Sequence, residues 1–99
     1  MDDRDDWLTP DTEELLEAIV ELRTTEEAGA FLRDLCTHRE VTEMSHRWHI
    51  VRLLDDGLPY REIAEKTGAS TATVTRVAQW LNHGMGGYRM VLDRMADSA

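Results

Sequence analysis

Tyr60-Arg61-Glu62-Ile63-Ala64-Glu65-Lys66-Thr67-Gly68-Ala69-Ser70-Thr71-Ala72-Thr73-Val74-Thr75-Arg76-Val77-Ala78-Gln79 is the stretch that decides the fold. Its spacing predicts two helices joined by a tight turn, a helix-turn-helix over residues 60–82. Ala64 is small where the first helix must lie close to the second. Gly68 falls in the turn, where the backbone takes a positive φ that a Cβ resists. Ile63, Ala69, Val74 and Val77 are apolar where the two helices pack on each other. Ser70 is a good N-cap for the second helix, and Gly84 ends it. A lone Ala-x-x-x-Gly is a weak signal; the added apolar spacing, cap and polar second helix make this one specific.

The outward side of that second helix carries Ser70, Thr71, Ala72, Thr75, Arg76 and Gln79. Short side chains near its start, with longer polar ones a turn later, suit a DNA major groove about 12 Å wide. The free N–H groups and positive dipole end of the helix also favour phosphate. On this reading Ser70, Thr71, Ala72, Thr75 and Gln79 meet bases, while Arg61, Lys66, Arg76 and Arg47 hold phosphates.

Upstream the pattern is helical almost throughout. Thr9-Pro10 reads as a helix start, and Leu15, Leu16, Ile19, Val20 and Leu22 line one side of a helix ending near Arg23. Thr24-Thr25-Glu26-Glu27 and Thr37-His38-Arg39-Glu40 both read as capping boxes. The first opens a helix bearing Ala28, Phe31, Leu32 and Leu35. The second opens the longest helix, residues 38–56, which Gly57 stops. Its stripe of Val41, Met44, Trp48 and Val51, widened by Ile50, Leu53 and Leu54, suggests burial against a second chain. Downstream, Gly84-Met85-Gly86-Gly87 links to a short last helix with Tyr88, Met90, Val91 and Met95. The expected organisation is an acidic, frayed N-terminus over 1–8, one helical domain over 9–96, and a tail over 97–99.

Composition agrees with a single small domain: 99 residues, 41% hydrophobic, with 6 glycines and 2 prolines. A monomer of this size buries only about 65% of its unfolded surface, which favours self-association. No apolar run reaches the ~20 residues of a membrane span, and nothing resembles a secretory leader. The single Cys36 excludes an intrachain disulfide and a four-thiolate zinc site. A cytoplasmic protein is expected. The net charge is −9, all of it from residues 1–30, where eleven acids face Arg4 and Arg23; residues 31–99 hold nine acids and nine bases. The usual objection to polyanion binding by an acidic chain therefore applies only to the first third.

Gly68-Ala69-Ser70-Thr71-Ala72-Thr73-Val74-Thr75-Arg76 resembles the Gly-Ala-x-x-Ala-Thr-apolar-Thr-Arg core of the tryptophan repressor superfamily. The flanking Tyr60-Arg-Glu-Ile63, Cys36-Thr37, His46-Arg47 and Asn82-His83-Gly84-Met85-Gly86-Gly87-Tyr88 resemble its small YerC/YecD-type branch. The similarity spans residues 9–95. It implies an all-α fold of about six helices in an interlocked homodimer that presents two reading heads to double-stranded DNA, associated with the nucleoid. It also implies that Arg47 and Arg76 match two arginines that enclose the tryptophan corepressor. Val77 stands where the repressor has a glycine, and Trp80 where it has a serine that meets the ligand's amino group. Both changes are expected to fill the space of indole and amino group. Tryptophan is therefore not the expected effector, and Arg47 and Arg76 are left for phosphate or another small molecule.

The sequence raises two other chemistries. Cys36, His38, His46 and His49 form a Cys-x-His-x7-His-x2-His string, but His38 and His46 lie about 12 Å apart along one helix axis. Surface histidines near phosphate, with Cys36 buried, are the plainer reading, so no metal is expected. No Gly-rich phosphate loop, nucleophile elbow or apolar-set carboxylate pair supports an enzyme, and no cofactor is implied. Trp7, Trp48 and Trp80 read as core or interface anchors. The alternatives to a DNA-binding regulator are a helix-turn-helix-shaped protein-interaction module and a metal-binding sensor.

Overall fold

A computed structural model describes residues 6–98 of the chain. Six α-helices follow one another, α1 (Pro10–Val20), α2 (Thr25–Leu35), α3 (His38–Asp55), α4 (Tyr60–Thr67), α5 (Thr71–His83) and α6 (Gly87–Ser98), with no strand among the described residues. Residues 1–5 of the expected frayed terminus, and Ala99 of the expected tail, lie outside the described residues. Positions 97 and 98 belong to α6 rather than to a tail.

The first two helices start where the local chemistry directs. The Thr9 hydroxyl accepts from the Thr12 N–H with Pro10 in the first turn, and Thr24 caps Glu27 in the same way. α1 stops at Val20, three residues short of Arg23. The Glu21 N–H turns back to the Ala18 carbonyl and the Leu22 N–H to that of Ile19, and the last turn of α1 holds no basic side chain to favour its exposed carbonyls.

The chain divides into two compact units, Met1–Val41 and Thr42–Ala99, with the boundary inside α3 rather than in a loop. In the first unit no residue of α1 or α2 is buried. Leu15, Ala18, Phe31 and Leu32 are half-buried, while Leu16, Ile19, Val20 and Leu35 remain exposed. The second unit has the core. Ile50 and Val51 of α3, Ile63 of α4, Val74 and Val77 of α5 and Leu92 of α6 cluster together, surrounded by Trp48, Leu53, Leu58, Ala64, Ala69 and Tyr88. Every apolar position assigned to helix-turn-helix packing is in this cluster or packed against it. α5 packs against both α4 and α6, so the second helix of the motif is anchored from two sides.

The first turn of α6 is tied to α3 by two neighbouring side chains. Trp48 and Tyr88 pack with ring centroids 6.1 Å apart and planes tilted by 47°. Arg89 bonds Asp55 at the end of α3 at 2.9 Å and its own-helix Asp93 at 3.4 Å. Those carboxylates hold the Arg89 guanidinium above its ordinary pKa, Asp55 contributing most. No helix of the described residues is long and apolar enough to cross a membrane.

Candidate nucleic-acid interface

α4 begins after Pro59 and ends at Gly68, whose φ of +78° puts it in the left-handed region and whose N–H bonds the Ala64 carbonyl at 2.9 Å. Thr67 knits the turn that follows. Its hydroxyl donates to the Ile63 carbonyl at 2.8 Å and accepts the Ala69 N–H at 3.2 Å. Its carbonyl meets His46 Nε2 at 2.9 Å, with the imidazole N–H donating. The turn between α4 and α5 is thus braced from within by a hydroxyl and from α3 by an imidazole. Neither Thr67 nor His46 was singled out for this role by the sequence. The Thr67 back-bond reaches only to residue i−4, and the His46 contact spans 21 positions of chain.

Ser70 caps α5 as expected, its Oγ accepting the Thr73 N–H at 3.1 Å. Beyond the cap, Val74, Val77 and Ala78 are buried, while Thr71, Ala72, Thr75, Arg76 and Gln79 are exposed together with Ser70. Helical periodicity therefore puts a hydroxyl, methyl and carboxamide face opposite the packed one. Thr75 Oγ1 donates to the Thr71 carbonyl at 2.9 Å. Gly84 ends the helix where a Cβ would run into the Trp80 carbonyl. Arg61 and Lys66 are exposed on α4, and Lys66 is only loosely paired with Glu62 at 4.0 Å.

Arg47 and Arg76 come together. They line one cleft of about 360 Å³ between α3 and α5, with His46, Glu43 and Thr73 at its sides and Ile50 and Val77 beneath. Arg76 donates to Thr73 Oγ1 at 3.3 Å. The two residues expected to block an indole part company here. Val77, 5% exposed, lines the cleft. Trp80 does not: it is 65% exposed and borders a separate apolar groove with Trp48, Met85, Tyr88 and Met90. Gly84 leaves room beside the Trp80 ring, which a Cβ there would approach to 3.1 Å. The filling of the Arg47–Arg76 cleft therefore falls to Val77 alone.

The His and Cys string does not converge. Among the described residues no group of three or more His, Cys, Asp or Glu side chains is placed to hold a metal ion. Cys36 is partly buried and caps α2, with its N–H on the Leu32 carbonyl.

Comparison with known proteins places this geometry. The family model described as Trp repressor protein matches residues 11–96. The uncharacterized protein YerC of Bacillus subtilis (strain 168) is 40% identical over 86 residues, covering 87% of this chain and 83% of that protein. A crystal structure of a TrpR-like protein from Eubacterium eligens ATCC 27750 is 42% identical with a TM-score of 0.82, covering 90% of this chain and 92% of that one. A candidate Trp repressor from Staphylococcus aureus, also a crystal structure, is 35% identical with a TM-score of 0.86, covering 97% and 96%. With a motif, a fold and relatives that agree, the chain belongs to the Trp repressor protein family, in its YerC-like branch.

Proposed function

We propose that this protein is a sequence-specific DNA-binding transcriptional regulator, of repressor type, that acts as a homodimer in the cytoplasm, on the nucleoid. The observation that carries the reading is the outer face of α5. Ser70, Thr71, Ala72, Thr75, Arg76 and Gln79 are all exposed on a helix whose opposite side is fixed in the core. Ser70, Thr71, Ala72, Thr75 and Gln79 approach bases. Arg61, Lys66 and Arg76, with Arg47 beside it, take phosphates. Two α5 helices of a dimer bind successive major grooves about 34 Å apart. The dimer is supported by the first unit, whose α1 and α2 bury no residue within one chain. Val77 under the Arg47–Arg76 cleft supports a protein that does not respond to tryptophan.

Mobility shift and sedimentation test this together. A dimer at micromolar concentration that retains duplex DNA at low salt is expected. Arg76→Ala weakens that retention and flattens its dependence on salt by about one phosphate contact. A monomer that retains no duplex at any salt concentration rejects the reading. That result favours the alternative of a protein-interaction module, which the net charge of −9 supports. Isothermal titration with tryptophan is expected to show no binding heat.

A further inference from the structure

The hydrogen bonds of α5 already assign donor and acceptor roles on the face that the proposed function sends into the major groove. Thr75 commits its hydroxyl proton to the Thr71 carbonyl at 2.9 Å, leaving the oxygen lone pairs as the polar feature it presents outward. Arg76, the one guanidinium of α5, is engaged to the side. It donates to Thr73 Oγ1 at 3.3 Å and lines the cleft with Arg47. Between Ala72 and Gln79 the outward face then holds an acceptor at Thr75, the methyl groups of Ala72 and Thr75, and the carboxamide of Gln79. These three positions step by three and four residues, so they share one side of the helix.

Guanine is read most often by a bidentate Arg or Lys donating to O6 and N7, and this face has neither aimed outward. What it offers matches the A·T pair. A hydroxyl acceptor takes an exocyclic amino group, adenine N6 or cytosine N4; the thymine 5-methyl group, an apolar partner for Ala72, and the carboxamide pairing with adenine N6 and N7 select adenine. We infer that α5 reads A·T pairs, with Thr75 accepting from an adenine amino group while the methyl groups of Ala72 and Thr75 meet the thymine methyl, and that Thr75 anchors that preference. The inference rests on the proposed DNA-binding function and adds to it the class of base pair recognised.

Selection of duplexes from a random pool with the full chain at low salt tests it, repeated with Thr75→Val and Thr75→Ser. Position 75 is exposed, so both variants should fold, which circular dichroism checks. The wild-type half-site is expected to hold an A·T position favoured at least about fivefold over G·C. Thr75→Ser, which keeps the acceptor, retains that preference. Thr75→Val, which keeps the shape and loses the acceptor, binds DNA with the preference reduced to about twofold or less. Replacing thymine by deoxyuridine in the selected site weakens wild-type binding several-fold. A G·C pair at the position that Thr75 controls, or an adenine preference unchanged in Thr75→Val, overturns the inference and leaves DNA binding standing. So does retention of duplex without enrichment of any sequence. Failure to retain any duplex rejects the proposed function itself.

Discussion

Gly68 concentrates the demands of the motif in one residue. Its φ of +78° is a left-handed conformation, yet an added Cβ would meet nothing within 4 Å. The cost of substitution there is therefore backbone conformation alone, about 1 kcal/mol or somewhat more for Ala. Gly68→Ala is expected to lower the thermal midpoint by roughly 4–8 °C, and Gly68→Asn by less, because Asn tolerates this region. Equal losses in both would point to a lost contact instead. This residue was legible in the sequence because its requirement is local: a turn of this length needs one positive φ. The bracing of the same turn was not legible. Thr67 works through hydrogen bonds to residues four before and two after it, and His46 reaches it from another helix. The sequence offers His46 as a metal ligand or phosphate neighbour, since it shows the imidazole without showing which carbonyl faces it.

Capping dominates at the scale of the helix. The Thr37–Glu40 box that opens α3 is fully reciprocal: Thr37 Oγ1 accepts the Glu40 N–H at 3.1 Å, and Glu40 Oε1 accepts the Thr37 N–H at 2.7 Å. The Thr37 N–H, with its hydroxyl adding to the effect, holds the Glu40 carboxyl below the usual carboxylate range. A carboxylate whose pKa is depressed by folding stabilises the helix start at pH above its ordinary value, and that contribution disappears as pH falls through the lowered one. Protection of the Thr37 amide from exchange should therefore drop as the solution is acidified through the carboxylate range. Glu40→Gln should flatten that dependence; a variant with the same pH profile would show that another group is responsible. The box of α2 differs in one detail. Glu27 reaches past the cap to the Arg23 N–H at 3.0 Å, which continues the capping into the link after α1. Caps and apolar periods are short-range signals, so the six helices were read within a few residues. The groove that Trp80 borders was not, because it brings Trp80 beside Trp48 of another helix, 32 positions earlier in the chain.

Across the molecule the two units are built unequally. The second has six clustered buried residues from four helices, and the first has none in α1 or α2. Two short amphipathic helices with Leu16, Ile19, Val20 and Leu35 exposed do not bury enough apolar surface to hold themselves in place. The sequence pointed to a second chain from the stripe on α3, but it did not reveal a unit boundary inside that helix. If the homodimer covers these positions, Leu16→Glu with Leu35→Glu converts it to monomer in sedimentation and lowers the thermal midpoint by several degrees. In a protein that is monomeric by design, two exposed leucines would accept glutamate with little change.

Trp80, with its ring 65% exposed, is in a position to act as a built-in optical probe. An indole in water emits at long wavelength, and the same indole covered by apolar side chains emits further to the blue. With Trp7 and Trp48 replaced by Phe, the remaining fluorescence reports in real time, without any label, on whatever comes to rest against the Met85–Tyr88 groove.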